Sequence, residues 1–160
     1  IQAGGADFLL IGTNTMHKVA PEIEAAIDIP LLHIADATAH RLQADGVTRV
    51  GLLGTRFTME QDFYKGRLQE RFGLEVLVPD DAARERVHRI IYDELCLGDI
   101  RESSQAEYLA IIADLAQAGA QAVILGCTEI ALLVGACQAA VPLYDTTAIH
   151  AEAAVTLALA

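Results

Sequence analysis

The chain of 160 residues reads as an α/β protein built on parallel sheet, and three observations point there. Short β-branched or Leu-rich runs alternate with longer segments whose apolar residues recur three and four apart, the pattern of βαβ units. Apolar residues make up 53% of the chain, enough to bury a sizeable core and to exclude disorder. A segment near the start is also echoed, in order, near the end.

Strands are predicted at about residues 7–11, 30–34, 49–53, 74–78, 122–125 and 141–144, each bounded by glycine, proline or a polar turn. The clearest helices are predicted at about residues 59–71, 81–95, 103–118 and from 147 onward, with further helix in the gaps. Residues 1–5 read like the tail of a helix entering a strand, and with Ile rather than Met first the chain reads as a fragment. The echo aligns Gly5-Ala6-Asp7-Phe8-Leu9-Leu10-Ile11-Gly12-Thr13 with Gly119-Ala120-Gln121-Ala122-Val123-Ile124-Leu125-Gly126-Cys127 at a constant offset of 114 residues. Further on, Ile29-Pro30-Leu31-Leu32 is matched by Val141-Pro142-Leu143-Tyr144, and Thr38-Ala39-His40 loosely by Thr147-Ala148 with His150. Two echoes in the same order predict pseudo-symmetric halves.

Charge and cysteine usage narrow the function classes. Lys plus Arg number 11 against 22 Asp plus Glu, a net charge of −11 that argues against a phosphate-backbone binder, so no nucleic-acid partner is expected. No apolar run approaches a membrane span and no basic-then-apolar leader opens the chain, so the expectation is a cytoplasmic protein with no membrane partner. Three cysteines without a CxxC spacing suit neither a disulfide framework nor a zinc cage. With no Gly-x-Gly-x-x-Gly fingerprint, P-loop or His/Cys ligand spacing, neither metal nor organic cofactor is expected.

In open α/β sheets ligands bind beyond the carboxyl ends of the strands, where N–H groups at helix starts meet anions. Three such ends carry small and hydroxylated residues: Gly12-Thr13-Asn14-Thr15, Gly54-Thr55-Arg56-Phe57-Thr58 and Gly126-Cys127-Thr128-Glu129. Small residues let a substrate approach the backbone, and hydroxyls can hold a carboxylate, which implies a small anionic ligand. Each threonine or asparagine could equally be an ordinary helix cap. Cys127 stands at a strand end entering a helix, a place that stabilises thiolate and can lower a thiol pKa from about 8.5 toward neutrality. Cys127 is therefore the candidate base, while Cys96 at a helix end and Cys137 near a turn read as bystanders.

These residues resemble the cofactor-independent aspartate/glutamate racemase family. The resemblance rests on Asn14-Thr15 after one strand, Gly126-Cys127-Thr128-Glu129-Ile130 after another, and Gly54-Thr55 with Thr58. It extends to Ile90-Ile91-Tyr92-Asp93-Glu94-Leu95 and to the ending Tyr144-Asp145-Thr146-Thr147 with His150-Ala151. The string Thr13-Asn14-Thr15-Met16-His17-Lys18 is similar to the branch with broad or L-aspartate/glutamate specificity. The resemblance implies two flavodoxin-like parallel-sheet domains related by a pseudo-two-fold axis, here a partial first domain of residues 1–45 and 146–160 and a second of residues 46–145. It implies racemisation of an acidic or small polar amino acid without pyridoxal phosphate, with one proton-transfer group on each face of Cα. The family places a cysteine at each strand end; here Cys127 fills the second and Thr13 stands at the first, so Thr13 is the expected acid partner. Asn14, Thr15, Thr55, Arg56, Thr58, Thr128 and Glu129 are the expected substrate-binding residues, with Arg56 placed at a distal carboxylate. His17 could orient the site, and His150 is read as packing. The opening strand, the Gly-rich loop and a substrate-binding lysine near Cys96 that the family shows are not found. The rival functions are a decarboxylase or a cis-trans isomerase of dicarboxylates using one cysteine, and an inactive small-ligand-binding fragment. The partner expected throughout is a small amino acid or dicarboxylate, with a homodimer left open.

Overall fold

The structure is a computed structural model that describes residues 1–160. In chain order the elements are β1 (Leu9–Leu10), α1 (Ala20–Ala26), β2 (Leu31–Leu32), α2 (Ile34–Ala44), β3 (Arg49–Gly54), α3 (Arg56–Glu60), α4 (Asp62–Phe72), β4 (Glu75–Leu77), α5 (Asp81–Asp93), α6 (Glu102–Gln117), β5 (Ala122–Gly126), α7 (Ile130–Val134), β6 (Leu143–Asp145) and α8 (Thr146–Ala158). All strand pairs are parallel, as expected of an α/β chain. Strands β4-β3-β5-β6 form one sheet in that order, and β1 pairs with β2 in a second, two-stranded sheet.

The central strands β3 and β5 are covered on both faces, which is why they read as unbroken apolar runs. Successive side chains point to opposite faces, so Leu53, Val123 and Leu125 enter one core with Val87, Ile91 and Ile112 of α5 and α6. Val50, Leu52, Ala122 and Ile124 enter the other, against Ile34, Leu42, Leu68 and Ile149 of α2, α4 and α8. No helix is long and apolar enough to cross a membrane.

The internal repeat has a counterpart in the backbone. The Leu9 N–H donates to the Pro30 carbonyl at 2.9 Å, and the Val123 N–H donates to the Pro142 carbonyl at the same distance. Leu9 stands opposite Leu31 and Val123 opposite Leu143, so both copies pair their strands in one register. The helices that follow, α2 and α8, pack on each other.

Several boundaries differ from the sequence reading for local reasons. The strand expected at residues 30–34 stops at Leu32 because His33 caps α2, its Nδ1 accepting from the Ala35 N–H at 3.1 Å. The helix expected at 59–71 is two helices, because Gln61 takes an extended conformation (φ −87°, ψ 150°) between α3 and α4. The helix expected to reach residue 95 ends at Asp93, and Leu95–Leu97 form a 3-10 turn. At the N-terminus a single 3-10 turn, Gln2–Gly4, precedes Gly5, whose φ of 85° suits glycine.

The two glycines at the carboxyl ends of β3 and β5 stand opposite each other. A Cβ on Gly126 would lie 2.9 Å from the Leu53 carbonyl oxygen and 3.1 Å from Leu52 Cδ1, and one on Gly54 would lie 3.0 Å from the Gly126 carbonyl. Backbone cannot yield as a flexible side chain can, so Gly126→Ala is expected to cost about 1–3 kcal/mol. A lower urea midpoint at unchanged m-value checks this; an unchanged midpoint refutes the close-approach argument.

Candidate functional site

The carboxyl ends of β1, β3 and β5 converge on one cavity of about 290 Å³. Thr13, Asn14, Thr15 and Met16 line it from the first end, Thr55 from the second, and Gly126, Cys127, Thr128 and Glu129 from the third. Ile91 and Tyr92 of α5 and the nearby Cys96 close the remaining wall. Seven of the nine residues singled out from sequence therefore share this cavity: Thr13, Asn14, Thr15, Thr55, Cys127, Thr128 and Glu129.

Arg56 and Thr58 do not line it. The Arg56 guanidinium is paired with Glu85 and its backbone N–H donates to His88 Nδ1, both on α5, so its charge is engaged outside the cavity. Thr58 is fully buried; its hydroxyl bonds that of Thr55 at 3.2 Å, and its methyl approaches the place a Cβ on Gly54 or Gly126 would occupy. It supports the site from beneath. Cys96, read as a bystander, is part of the wall. The sequence signal missed here is that the last turn of α5, apolar enough to pass for core, overhangs the strand ends.

The state of Cys127 also differs from expectation. Burial pushes its thiol up to about 12, and the neighbouring Glu129 carboxylate adds to the rise. The thiol donates to Glu129 Oε2 at 2.8 Å, and the Thr128 hydroxyl donates to the same oxygen at 2.6 Å. Burial opposes ionisation of Glu129, but these hydrogen bonds outweigh it and hold the carboxyl below its ordinary range. The helix start that was to stabilise a thiolate begins three residues later, at Ile130, and runs only five residues. Burial first, and the adjacent carboxylate after it, therefore keep the proton on sulfur.

Behind the first strand end lies a group of buried histidines. His17, in the 3-10 turn Thr15–Val19, is 1% exposed. Its Nε2 accepts from the Ile34 N–H at 3.2 Å, so Nδ1 carries the proton and donates to the Thr13 carbonyl at 2.8 Å. The His33 ring lies 4.3 Å from that of His17, centroid to centroid, and the His150 ring 6.0 Å. His150 packs, with Nε2 2.8 Å from the Leu32 carbonyl oxygen. Burial lowers His17 to about 4 and His33 to about 3, so both are neutral at neutral pH. The Thr13 backbone is thus tied to the start of α2 through His17.

Asn14 makes the link between strand ends. Its Nδ2 donates to the Thr146 hydroxyl at 3.1 Å, and that hydroxyl donates to the Leu125 carbonyl at 2.9 Å, one residue before the Gly126 that lines the cavity. Asn14 is 3% exposed and its Oδ1 has no partner within the chain. Thr146 entered the sequence reading only as part of a longer string; nothing in the sequence marks its hydroxyl as the bridge.

Parallel sheets with a thiol-bearing cavity at their carboxyl edge define the class, an open α/β protein with a pocket where the strands end. The chain belongs to the Asp/Glu/Hydantoin racemase family, whose profile matches residues 1–154. It is 26% identical over 160 residues to the broad specificity amino-acid racemase RacX of Bacillus subtilis, covering all of this chain and 68% of that one. A crystal structure from Yersinia pestis, provisionally described as an Asp/Glu racemase, is 57% identical with a TM-score of 0.95, over 99% of this chain and 69% of that one. An aspartate racemase homologue from Pyrococcus horikoshii OT3 is 34% identical with a TM-score of 0.89, over 99% and 70%.

Proposed function

We propose that this chain carries the proton-transfer centre of an amino-acid racemase that works without pyridoxal phosphate on an acidic or small polar amino acid. One observation carries the reading: Thr13 and Cys127, equivalent positions of the internal repeat, line a single cavity. Inversion at Cα needs a proton to leave one face and another to arrive at the opposite one. Two pseudo-symmetric lobes, residues 1–45 with 146–160 and residues 46–145, supply groups from opposed sides.

Cys127 enters the cycle as a thiol, with Glu129 as the acceptor for its proton. The ammonium of an incoming amino acid brings positive charge beside this pair and favours the thiolate that removes the α-hydrogen. Thr13, far less acidic than a thiol, delivers or relays the proton on the other face and takes one back from water, while Glu129 returns its proton to water, so the site regains its starting state. The hydroxyls of Thr15, Thr55 and Thr128 and the N–H groups at the strand ends bind the α-carboxylate by charge-assisted hydrogen bonds.

The test is α-hydrogen exchange in deuterated water, followed by NMR with chiral analysis, over L- and D-aspartate, glutamate, serine and homoserine. The expected result is deuterium incorporation accompanied by inversion, unaffected by chelator or hydroxylamine. Carbon dioxide release instead of inversion would assign the chain to decarboxylation. Ligand-dependent thermal stabilisation with no exchange would make it a binding module.

A further inference from the structure

We propose that Thr146 is a positioning residue that sets the amide orientation of Asn14, leaving its oxygen as the acceptor for the α-ammonium of the substrate. The proposal rests on the racemase reading, since it presumes an α-amino acid in the cavity, but its geometry is independent of which group moves the proton.

The argument is one of donor and acceptor count. Thr146 is fully buried at the first position of α8, where β6 hands over to the helix. Its hydroxyl has one hydrogen, and the Leu125 carbonyl, which can only accept, takes it at 2.9 Å. Toward Asn14 the hydroxyl can then offer only a lone pair. Asn14 must answer with its NH2, and Nδ2 lies 3.1 Å away. The flipped amide would set two acceptors against each other inside the protein. Oδ1 is thereby left over, buried and without a partner, on a side chain that lines the cavity.

A buried acceptor without a donor costs free energy, and on a side chain that lines a cavity a donor carried by the ligand can complete it. An α-ammonium has three N–H donors and fits this acceptor, in a cavity whose lining carries no positive side chain to repel it. Because the Leu125 carbonyl lies one residue before Gly126, this chain of bonds also ties the ammonium acceptor to the strand that leads into Cys127. Substrate nitrogen and thiol are placed from one frame.

The experiment compares Thr146→Val, which keeps the branched shape and deletes the hydroxyl, with Thr146→Ser, which keeps the hydroxyl and deletes the methyl. Steady-state racemisation of the best substrate from the panel above gives kcat and KM. Inhibition constants for its deaminated analogue, succinate if aspartate is the substrate, are measured in parallel. The expected result is a KM raised about tenfold in Thr146→Val with kcat changed far less. Thr146→Ser should stay near wild type, and succinate-type inhibition should stay the same in all three proteins. A purely packing role predicts the reverse order, with Val tolerated and Ser impaired, and would overturn the proposal. So would a parallel loss of amino acid and deaminated analogue. If wild-type protein exchanges no α-hydrogen in any amino acid tested, the racemase reading itself fails, an outcome distinct from wild-type exchange with unchanged KM in Thr146→Val.

Discussion

Replacing Cys127 by alanine is expected to lower racemisation by 10² to 10⁴ in both directions, the usual contribution of a positioned acid–base group. Both directions fall together because the group on one face acts as base for one enantiomer and as acid for the other. Glu129 cannot substitute, since it reaches the substrate's proton only through the sulfur in the mechanism proposed here. The unequal acidities of Thr13 and Cys127 have a second consequence. Free enantiomers are equal in energy, so kcat/KM must be the same from either hand, and the asymmetry has to appear as kcat and KM that both differ between the hands by one common factor. By resemblance to the threonine-containing branch, the L-enantiomer is the expected faster substrate. Thr13→Cys, which places a thiol at both strand ends, is expected to raise kcat from the slower hand. Chiral chromatography of initial rates from each enantiomer measures all of this. Turnover in Cys127→Ala within a few-fold of wild type would remove Cys127 from the chemistry.

Acid is expected to destabilise the fold well above the range in which carboxylates titrate. His17 and His33 are held to about 4 and about 3 chiefly by burial, with Coulomb repulsion from the nearby Arg67 acting on both and Asp36 partly opposing it at His33. The unfolded chain takes up protons near the ordinary histidine value of about 6.5, before the folded protein does. The associated stability is therefore complete above about pH 6.5. It is lost as the pH falls toward 4 for His17 and toward 3 for His33, at about 1.4 kcal/mol per pH unit for each. By pH 4.5 the two together remove roughly 5 kcal/mol, comparable with the entire stability of many domains. Asp36 is distinguishable: burial works against its ionisation, but the bidentate contact with Arg67, with Nη2 to Oδ2 at 2.7 Å, holds its pKa down. Its contribution is lost only below its ordinary value of about 3.9. Urea denaturation from pH 7.5 to 4.5 reads the histidine loss directly. His33→Asn keeps a side chain able to cap α2 without titrating, and should remove about half of the slope. A flat profile between pH 7.5 and 4.5 would show that the histidines do not stay neutral in the folded protein.

The periodicity and punctuation of the sequence determined the class of fold, because both follow from local chemistry. The runs at β3 and β5 read as strands, and the echoes of residues 5–13 and 29–32 in residues 119–127 and 141–144 predicted pseudo-symmetric halves, in which the structure pairs the strands in one register. The place of the candidate cavity was legible for the same reason. Thr13, Asn14, Thr55, Cys127 and Glu129 stand where parallel strands end, and in an open α/β fold those ends are neighbours. Tertiary structure alone decided how protons and hydrogen bonds are distributed among these residues. Cys127 has the local sequence of an activated thiol, yet burial and the carboxylate of Glu129 keep its proton on sulfur. Arg56 has the local sequence of a substrate ligand, yet it pairs with Glu85, 29 residues away, and does not line the cavity. Asn14 meets Thr146 across 132 residues, and His17 meets Ile34 across 17. A pKa or a hydrogen-bond partner depends on which groups the fold brings within about 3 Å, and strand and helix periodicity carry no information about that.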